Sequence, residues 1–568
     1  MTRTWEDYPR PQFRRDSFLS LNGIWDFCDA KIRVPFCPES RLSGLGIRLE
    51  DDDIVFYHRT FEIPEGFMKG RLLLHFGAVD QVADVFVNGH FAGRHEGGYT
   101  HFTLDVTKAV RLSGENHLIV RVEDRLDDRV YPYGKQRHKR GGMWYTPVTG
   151  IWQSVWLESV PGRYIRDFSV TTKGNRVTVH VKPGGHRDQR DRESVVCFEG
   201  QRFVTEGQRV TFTVEDPVFW SPENPHIYGF KLFYGEDEVS SYFALRDLEI
   251  REIGGIPRLL MNGKPYFFHG LLDQGYYEGG IYTPETPERI REDILLAKSL
   301  GFNMLRKHIK VEPDIFYYLC DTLGMCVFQD MVNNGEYNYV RDTVLPNFQI
   351  RKDRSDRMMN PDPETRRVFL RACRETWNQL RNFPCIVYWT VFNEGWGQFR
   401  GDYCYAYMKK LDRTRFVDTA SGWYNSVESD VFSDHVYFRP VAVVRTPKPY
   451  VLSEYGGYVW KIAGHGFSGK ESYGYRDFRN RTEYEDALDA CIRRDVLDNI
   501  DKGLCAAVLT QLSDVEDELN GFVTYDRAVV KVRAERFRAL GDEIRGKMEQ
   551  AAAQTTERRP GDGEVHEG

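Results

Sequence analysis

The stretch that decides the reading is Cys385-Ile386-Val387-Tyr388-Trp389-Thr390-Val391-Phe392-Asn393-Glu394-Gly395-Trp396. An unbroken run of β-branched and aromatic residues predicts a strand buried on both faces, and its polar end delivers one carboxylate to an open edge. A second stretch repeats the pattern: Pro449-Tyr450-Val451-Leu452-Ser453 stops at Glu454, followed by Tyr455-Gly456-Gly457. Two such strands predict one pocket that receives two acids. Carboxyl groups about 5 Å apart can cleave a glycosidic bond with retention, one as nucleophile and the other as acid/base.

Around these strands the pattern alternates strand and helix from about position 251. Strand candidates fall at 266–272, 304–308, 325–329, 386–392, 416–420, 435–438, 450–453 and 506–511. Thr286-Pro287 opens a helix whose Ile290, Ile294 and Ala297 share a face before Gly301 ends it. Further helices are expected near 363–381, 399–411, 482–501 and 530–548. Strands and helices in this order predict a (β/α)₈ TIM barrel over 251–549, with its site at the C-terminal strand ends, where both glutamates lie.

The chain before the barrel reads as β throughout. Val82-Ala83-Asp84-Val85-Phe86-Val87 meets Asn88-Gly89, a strong hairpin signal, and short alternating strands continue to 160. Residues 1–160 are therefore expected to form a jelly-roll sandwich, and 161–250 a small immunoglobulin-like sandwich serving as spacer. The tail 550–568 lacks periodicity and is expected to be disordered.

Composition narrows the function classes. Lys+Arg 77 against Asp+Glu 84, net charge −7, leaves no basic footprint for nucleic acid. No apolar stretch is long enough to span a bilayer, and the N-terminus lacks a signal-type apolar segment, which predicts a cytoplasmic protein without a membrane partner. The ten cysteines stand singly, with no Cys-x-x-Cys, so no zinc or redox motif is indicated. Aromatic residues make up 14% of the chain; most belong to cores, and some suit the stacking of sugar rings.

The order of β domain, β spacer and barrel, with the two glutamate motifs, resembles glycoside hydrolase family 2, which contains β-galactosidases, β-glucuronidases and β-mannosidases. Leu21-Asn22-Gly23-Ile24-Trp25 and Thr149-Gly150-Ile151-Trp152 look like the two ends of that family's sugar-binding domain. Leu260-Met261-Asn262-Gly263-Lys264-Pro265-Tyr266 is similar to the start of its barrel, and Gln511-Leu512-Ser513-Asp514-Val515-Glu516 to its eighth strand. The resemblance implies that Glu394 is the acid/base and Glu454 the nucleophile. It also implies that Asn393 bonds the sugar 2-hydroxyl and that Tyr437 orients the nucleophile. The family's second-strand Arg-x-x-His-x-Pro is here Arg306-Lys307-His308-Ile309-Lys310, and a glucuronidase-type Asn-x-Lys after strand eight is absent.

These readings make the chain a retaining exo-β-glycosidase, with a β-galactoside as first substrate and a β-glucuronide as the alternative. No organic cofactor or metal is required, and a homo-oligomer is compatible. His308 and Asp273 are further candidate sugar contacts, His308 and His435 being equally readable as hydrogen-bonded structure. Trp396, Trp423 and Trp460 form either an aromatic wall for a pyranose or packing at the mouth. The basic loop Lys135-Gln136-Arg137-His138-Lys139-Arg140 is either a solvated face or a clamp for an acidic sugar. Two rivals stand beside this reading. A non-catalytic carbohydrate-binding scaffold would need neither glutamate. A metal-dependent barrel hydrolase would draw ligands from His269, His308, His435 and Asp330. A magnesium site built from Asp330, Glu394 and His435 is a related option.

Overall fold

The computed structural model describes residues 3–185, 193–348, 350, 356, 359–467 and 472–556. Its centre is a sheet of eight parallel strands: β1 Phe268–Asp273, β2 Met304–Lys307, β3 Cys326–Asp330, β4 Ile386–Asn393, β5 Phe416–Ser421, β6 Phe432–Val436, β7 Tyr450–Gly456 and β8 Leu504–Thr510. Hydrogen-bonded neighbours run β5-β4-β3-β2-β1-β8-β7-β6. The remaining seam, between β5 and β6, is tied by side chains, with Ser433 Oγ donating to Asp418 Oδ1 at 2.9 Å. Every residue of β4, β7 and β8 is buried, which explains why these strands read as continuous apolar runs.

Helices outside the barrel begin where the chain supplies caps. Thr286 is extended ahead of the helix Pro287–Ser299, which buries Ile290, Ile294 and Ala297. Asp362 caps Pro363–Leu380 by accepting from the Thr365 amide at 2.7 Å. A further helix, Asp314–Leu323, was not foreseen from the sequence. The segments 422–431 and 437–449, after β5 and β6, carry no helix.

Two expected boundaries shift. β6 begins at Phe432 rather than 435, because the polar pair Ser433-Asp434 is buried and bonded to Asp418 and Tyr450 rather than forming a turn. The last helix, Ala534–Thr556, continues through the start of the segment expected to be disordered; positions 557–568 lie outside the described residues.

Ahead of the barrel stand two sandwiches. The first packs a four-stranded sheet on a six-stranded one around Trp25, Tyr57, Leu74, Val120 and Leu157. The second packs three strands on four around Phe168, Val179, Phe212 and Phe230. Each large apolar side chain buried in this way contributes about 1.5–3 kcal/mol. Strand Leu248–Ile253 leaves the second sandwich to pair with Ile256–Met261, so the expected boundary at 250 falls inside a strand. Buried Arg15 locks the two sandwiches together, reaching Glu158 at 2.6 Å and Asp237 at 2.8 Å. Trp220 Nε1 donates to Asp321 O at 2.8 Å and fixes the second sandwich to the barrel. No helix is long and apolar enough to cross a membrane.

Facing the barrel, the first sandwich buries acids that have no cation beside them. Burial pushes Glu39 up to about 7 and Asp80 up to about 7, against weaker help from the Thr149 amide and Gln136. A carboxyl raised in the fold contributes stability that is intact below its unfolded pKa and lost as pH rises through the folded value. Glu39→Gln removes that term. The variant's stability is expected to fall by about 2–3 kcal/mol less than wild type between about pH 4 and pH 8. Denaturant melts at the two pH values measure the difference; parallel losses in the two proteins would contradict it.

Candidate active site

Arg306, at the end of β2, is a fully buried cation inside the barrel mouth, 1% exposed. Its Nε and Nη2 donate to the two oxygens of Asp330 on β3, both at 3.0 Å. Nη1 donates to Glu454 Oε1 on β7 at 2.9 Å and to Ser453 O at 3.0 Å. Nη2 also donates to Asn393 Oδ1 on β4 at 2.9 Å. One planar fork thus sets the positions of side chains from three other strand ends, which a lysine's single ammonium could not do.

Glu454 takes its second hydrogen bond from the Tyr437 hydroxyl, which reaches Oε2 from just beyond β6. Burial alone would raise this carboxyl. His435 and Arg306 outweigh burial, with help from His308 and the Tyr437 hydroxyl, and bring it down to about 2. Glu394 is held differently. Its Oε1 lies 2.8 Å from His435 Nδ1, while His435 Nε2 lies 3.6 Å from Glu454 Oε1, so one imidazole bridges the two acids. One carboxylate oxygen of Glu394, one of Glu454 and a His435 nitrogen all fall within 4.8 Å of one another. The Glu394 side chain is 12% exposed against 6% for Glu454, so Glu394 is the acid nearer solvent.

The backbone at Glu394 is left-handed, φ 54°, followed by Gly395 at 75°. A Cβ at Gly395 would stand 2.4 Å from the Tyr424 ring, so that close turn requires glycine. Trp423 Nε1 donates to Glu394 O at 3.0 Å and secures the turn from behind. Non-glycine residues in this region are costly and collect at functional sites.

The other sequence candidates divide. Arg306 only donates, so the Asn393 oxygen faces it and the amide Nδ2 is left as a donor for a ligand. His308 Nδ1 lies 2.8 Å from Asp330 Oδ2, and burial lowers the ring's pKa to about 4. Asp273 does not serve as an open sugar contact: Lys307 Nζ donates to its Oδ2 at 2.6 Å and the Gly275 amide to its Oδ1 at 2.9 Å. Trp460 is also displaced from the expected wall. It lies 6.0 Å from Tyr484 on the outer helix Arg481–Ile492, and Arg481 sits over its other side. Trp396 and Trp423 are each 1% exposed, so they back the pocket rather than face it.

The aromatic surface was missed in the sequence. Trp144 and Tyr337 pack edge-on to Trp396, with centroids 5.2 and 5.8 Å away. Trp144 comes from the first sandwich, on the loop that carries the basic run. That loop docks on the barrel: Tyr133 N donates to Asn333 O at 3.1 Å, Thr146 N to Glu516 Oε1 at 2.9 Å, and the Tyr145 hydroxyl to Glu518. A Cβ at Gly134, φ 62°, would stand 3.0 Å from Ile309 O, so glycine permits the approach. Only the aromatic-rich Gly142-Met143-Trp144-Tyr145 hinted at this surface.

Glu394, His435 and Glu454 together offer metal-type donors, but the Arg306 guanidinium already stands 2.9 Å from Glu454 and 3.5 Å from His435 Nε2. Asp330 spends both oxygens on Arg306 and His308. His269 packs against Phe302 at 4.4 Å. This donor set, with a fixed cation at its centre, does not fit a metal-hydrolase site.

The family model described as glycosyl hydrolases family 2, TIM barrel domain, matches residues 255–466, and the one described as glycosyl hydrolases family 2, sugar binding domain, matches 47–161. Similar proteins include a β-galactosidase of Thermoanaerobacter pseudethanolicus, 26% identical over 77% of this chain and 58% of that protein. Another is a putative β-glucuronidase of Formosa agariphila, 26% identical over 56% of this chain and 37% of that protein. The chain thus covers little more than half of these relatives at most. Among solved structures, a β-glucuronidase from an uncultured Clostridium species superposes with TM-score 0.72 at 20% identity, covering 95% of this chain and 99% of that one. A β-galacturonidase from Eisenbergiella tayi bound to galacturonate gives 0.68 at 18%, with the same coverage. These likenesses establish the fold.

Arg306→Met leaves Asp330 and Glu454 buried without their counter-charge, at an expected cost of about 3–5 kcal/mol at neutral pH. Both carboxyls lie below their ordinary values in the wild type, so they contribute stability above the unfolded pKa and lose it as pH falls. The variant lacks that contribution. Its deficit is expected to be large near pH 7 and to shrink as pH falls from about 5 toward about 2 in denaturant titrations, and a deficit independent of pH would refute the electrostatic account.

Proposed function

Because this chain belongs to glycoside hydrolase family 2, we propose that it is a retaining exo-β-glycosidase that removes a terminal sugar from small glycosides, a β-galactoside first. The observation that carries the reading is the placement of one oxygen each of Glu394 and Glu454 within 4.8 Å, the spacing of direct nucleophilic displacement rather than of an intervening water. Glu454, held ionised by Arg306 and Tyr437, attacks the anomeric carbon. Glu394, on the more exposed side, gives its proton to the departing oxygen and then takes one from water to release the sugar. Asn393 Nδ2 is assigned to the 2-hydroxyl. The β-galactoside is favoured by the name of the Thermoanaerobacter relative and by the absence of Asn-x-Lys after β8.

Glu454→Gly is expected to lose at least about a thousandfold in turnover, and added azide to restore it with formation of the α-glycosyl azide. A variant with near wild-type rates would remove Glu454 from the role of nucleophile.

Glu394→Ala should distinguish leaving groups. Nitrophenolates depart without protonation, so the first step is expected to be spared by about a hundredfold relative to an alkyl glycoside. Equal losses on both substrates would contradict the acid role.

A further inference from the structure

Within the basic run at the mouth, Arg140 and His138 are the members that meet carboxylates among the described residues. Arg140 Nη1 donates to Asp517 Oδ2 at 2.8 Å and lies 3.4 Å from Glu516 Oε2. His138 Nε2 lies 2.6 Å from Asp51 Oδ1, and Arg137 stacks 3.9 Å from the Trp144 ring. Lys139 is exposed. Lys135 differs from all of these. It is 7% exposed, yet among the described residues its ammonium makes no hydrogen bond or ion pair, Nζ standing 5.7 Å from the centre of the Trp144 ring. Its neighbour Gly134 approaches Ile309, next to His308, and Tyr145, which donates its amide to Lys135 O, reaches Glu518 with its hydroxyl. An ammonium on a side chain this buried, with no protein acceptor among the described residues, is left to donate to a ligand entering between those residues.

Glu518 is the matching anion. It is 4% exposed, and the Tyr145 hydroxyl donates to its Oε2 while Asn520 Nδ2 donates to Oε1 at 3.0 Å. Gln511 Nε2, just past β8, fixes Asn520 by donating to its Oδ1 at 2.8 Å. Each carboxylate oxygen keeps a second acceptor position. The chain on either side of Glu518 pairs with Tyr473, Tyr473 N donating to Asp517 O at 2.8 Å and Leu519 N to Tyr473 O at 3.2 Å, while Tyr475 packs 4.3 Å from Tyr437, whose hydroxyl donates to Glu454, so Glu518 stands on the nucleophile's side of the pocket. Lys135 and Tyr145 are joined directly, Lys135 O accepting from Tyr145 N at 2.9 Å. One loop therefore holds a cation of the first sandwich and an anion of the barrel over the same part of the site.

Resting on the retaining-glycosidase reading above, we propose that Glu518 and Lys135 select the glycone: they hold an uncharged sugar, Glu518 accepting from its hydroxyls and Lys135 donating to them, and the fixed charge of Glu518 rejects a uronate. In so dry a pocket a second carboxylate beside Glu518 is strongly repelled, whereas a hydroxyl satisfies both partners.

The test compares kcat/KM of the full chain on matched nitrophenyl β-galactoside and β-glucuronide. Wild type is expected to favour the galactoside by at least about a hundredfold. Glu518→Gln, of the same size, is expected to lose about tenfold on the galactoside and to move the ratio toward the glucuronide by about tenfold or more. Lys135→Met, which breaks no bond of the fold, should lose on both substrates and move the ratio the other way. A ratio unmoved by either variant, whatever the common loss, or a wild-type preference for the glucuronide, overturns the pair as selector. Azide rescue at Glu454 together with an unmoved ratio overturns the pair alone; failure to cleave any β-glycoside overturns the retaining reading and the pair with it.

Discussion

The guanidinium of Arg306 is the constraint on which the site depends. Bringing Asp330 and Glu454 together inside a barrel mouth would by itself fail, because two desolvated anions repel and each would take up a proton. The buried cation between them reverses the sign of the problem, and because its fork is planar it also fixes direction. Asn393 is held with its oxygen inward, and Glu454 has one oxygen engaged and the other presented to Tyr437. The strand ends supply the backbone positions; the arginine converts them into oriented groups.

The sequence revealed the parts whose signal is local. Runs such as 386–392 and 450–453 read as buried strands because every side chain on them but Thr390 and Ser453 is apolar or aromatic, and the two glutamates at their ends come together in the pocket. What escaped was direction and distance along the chain. Trp460 follows a strand end, yet its ring packs on Tyr484, and Asp273 ends β1 but is consumed by Lys307. Arg306 was visible as part of a motif, but its partners lie 24, 87 and 148 residues away, beyond any periodicity. β6 was placed late because buried serine and aspartate look like a turn when the seam they close is unseen.

The aromatic wall and the charged rim escaped for the same reason on a larger scale. Tyr145 and Glu518 are 373 residues apart, and Arg140 and Asp517 are 377 apart. A basic loop and an acidic loop each read as solvated surface when taken alone. The pairing of Arg140 with Glu516 and Asp517 is a property of the docked domains, not of either segment.

That docking also divides labour along the chain. The acids and the arginine belong to the barrel, whereas the loop that closes over them belongs to a sandwich that begins more than a hundred residues earlier. Changes in the loop alter the shape and polarity of the cavity while leaving the bond-breaking groups untouched, whereas the barrel carries those groups together with Glu518. A lineage built this way can try new sugars by drift in one module, with its chemistry kept safe in another.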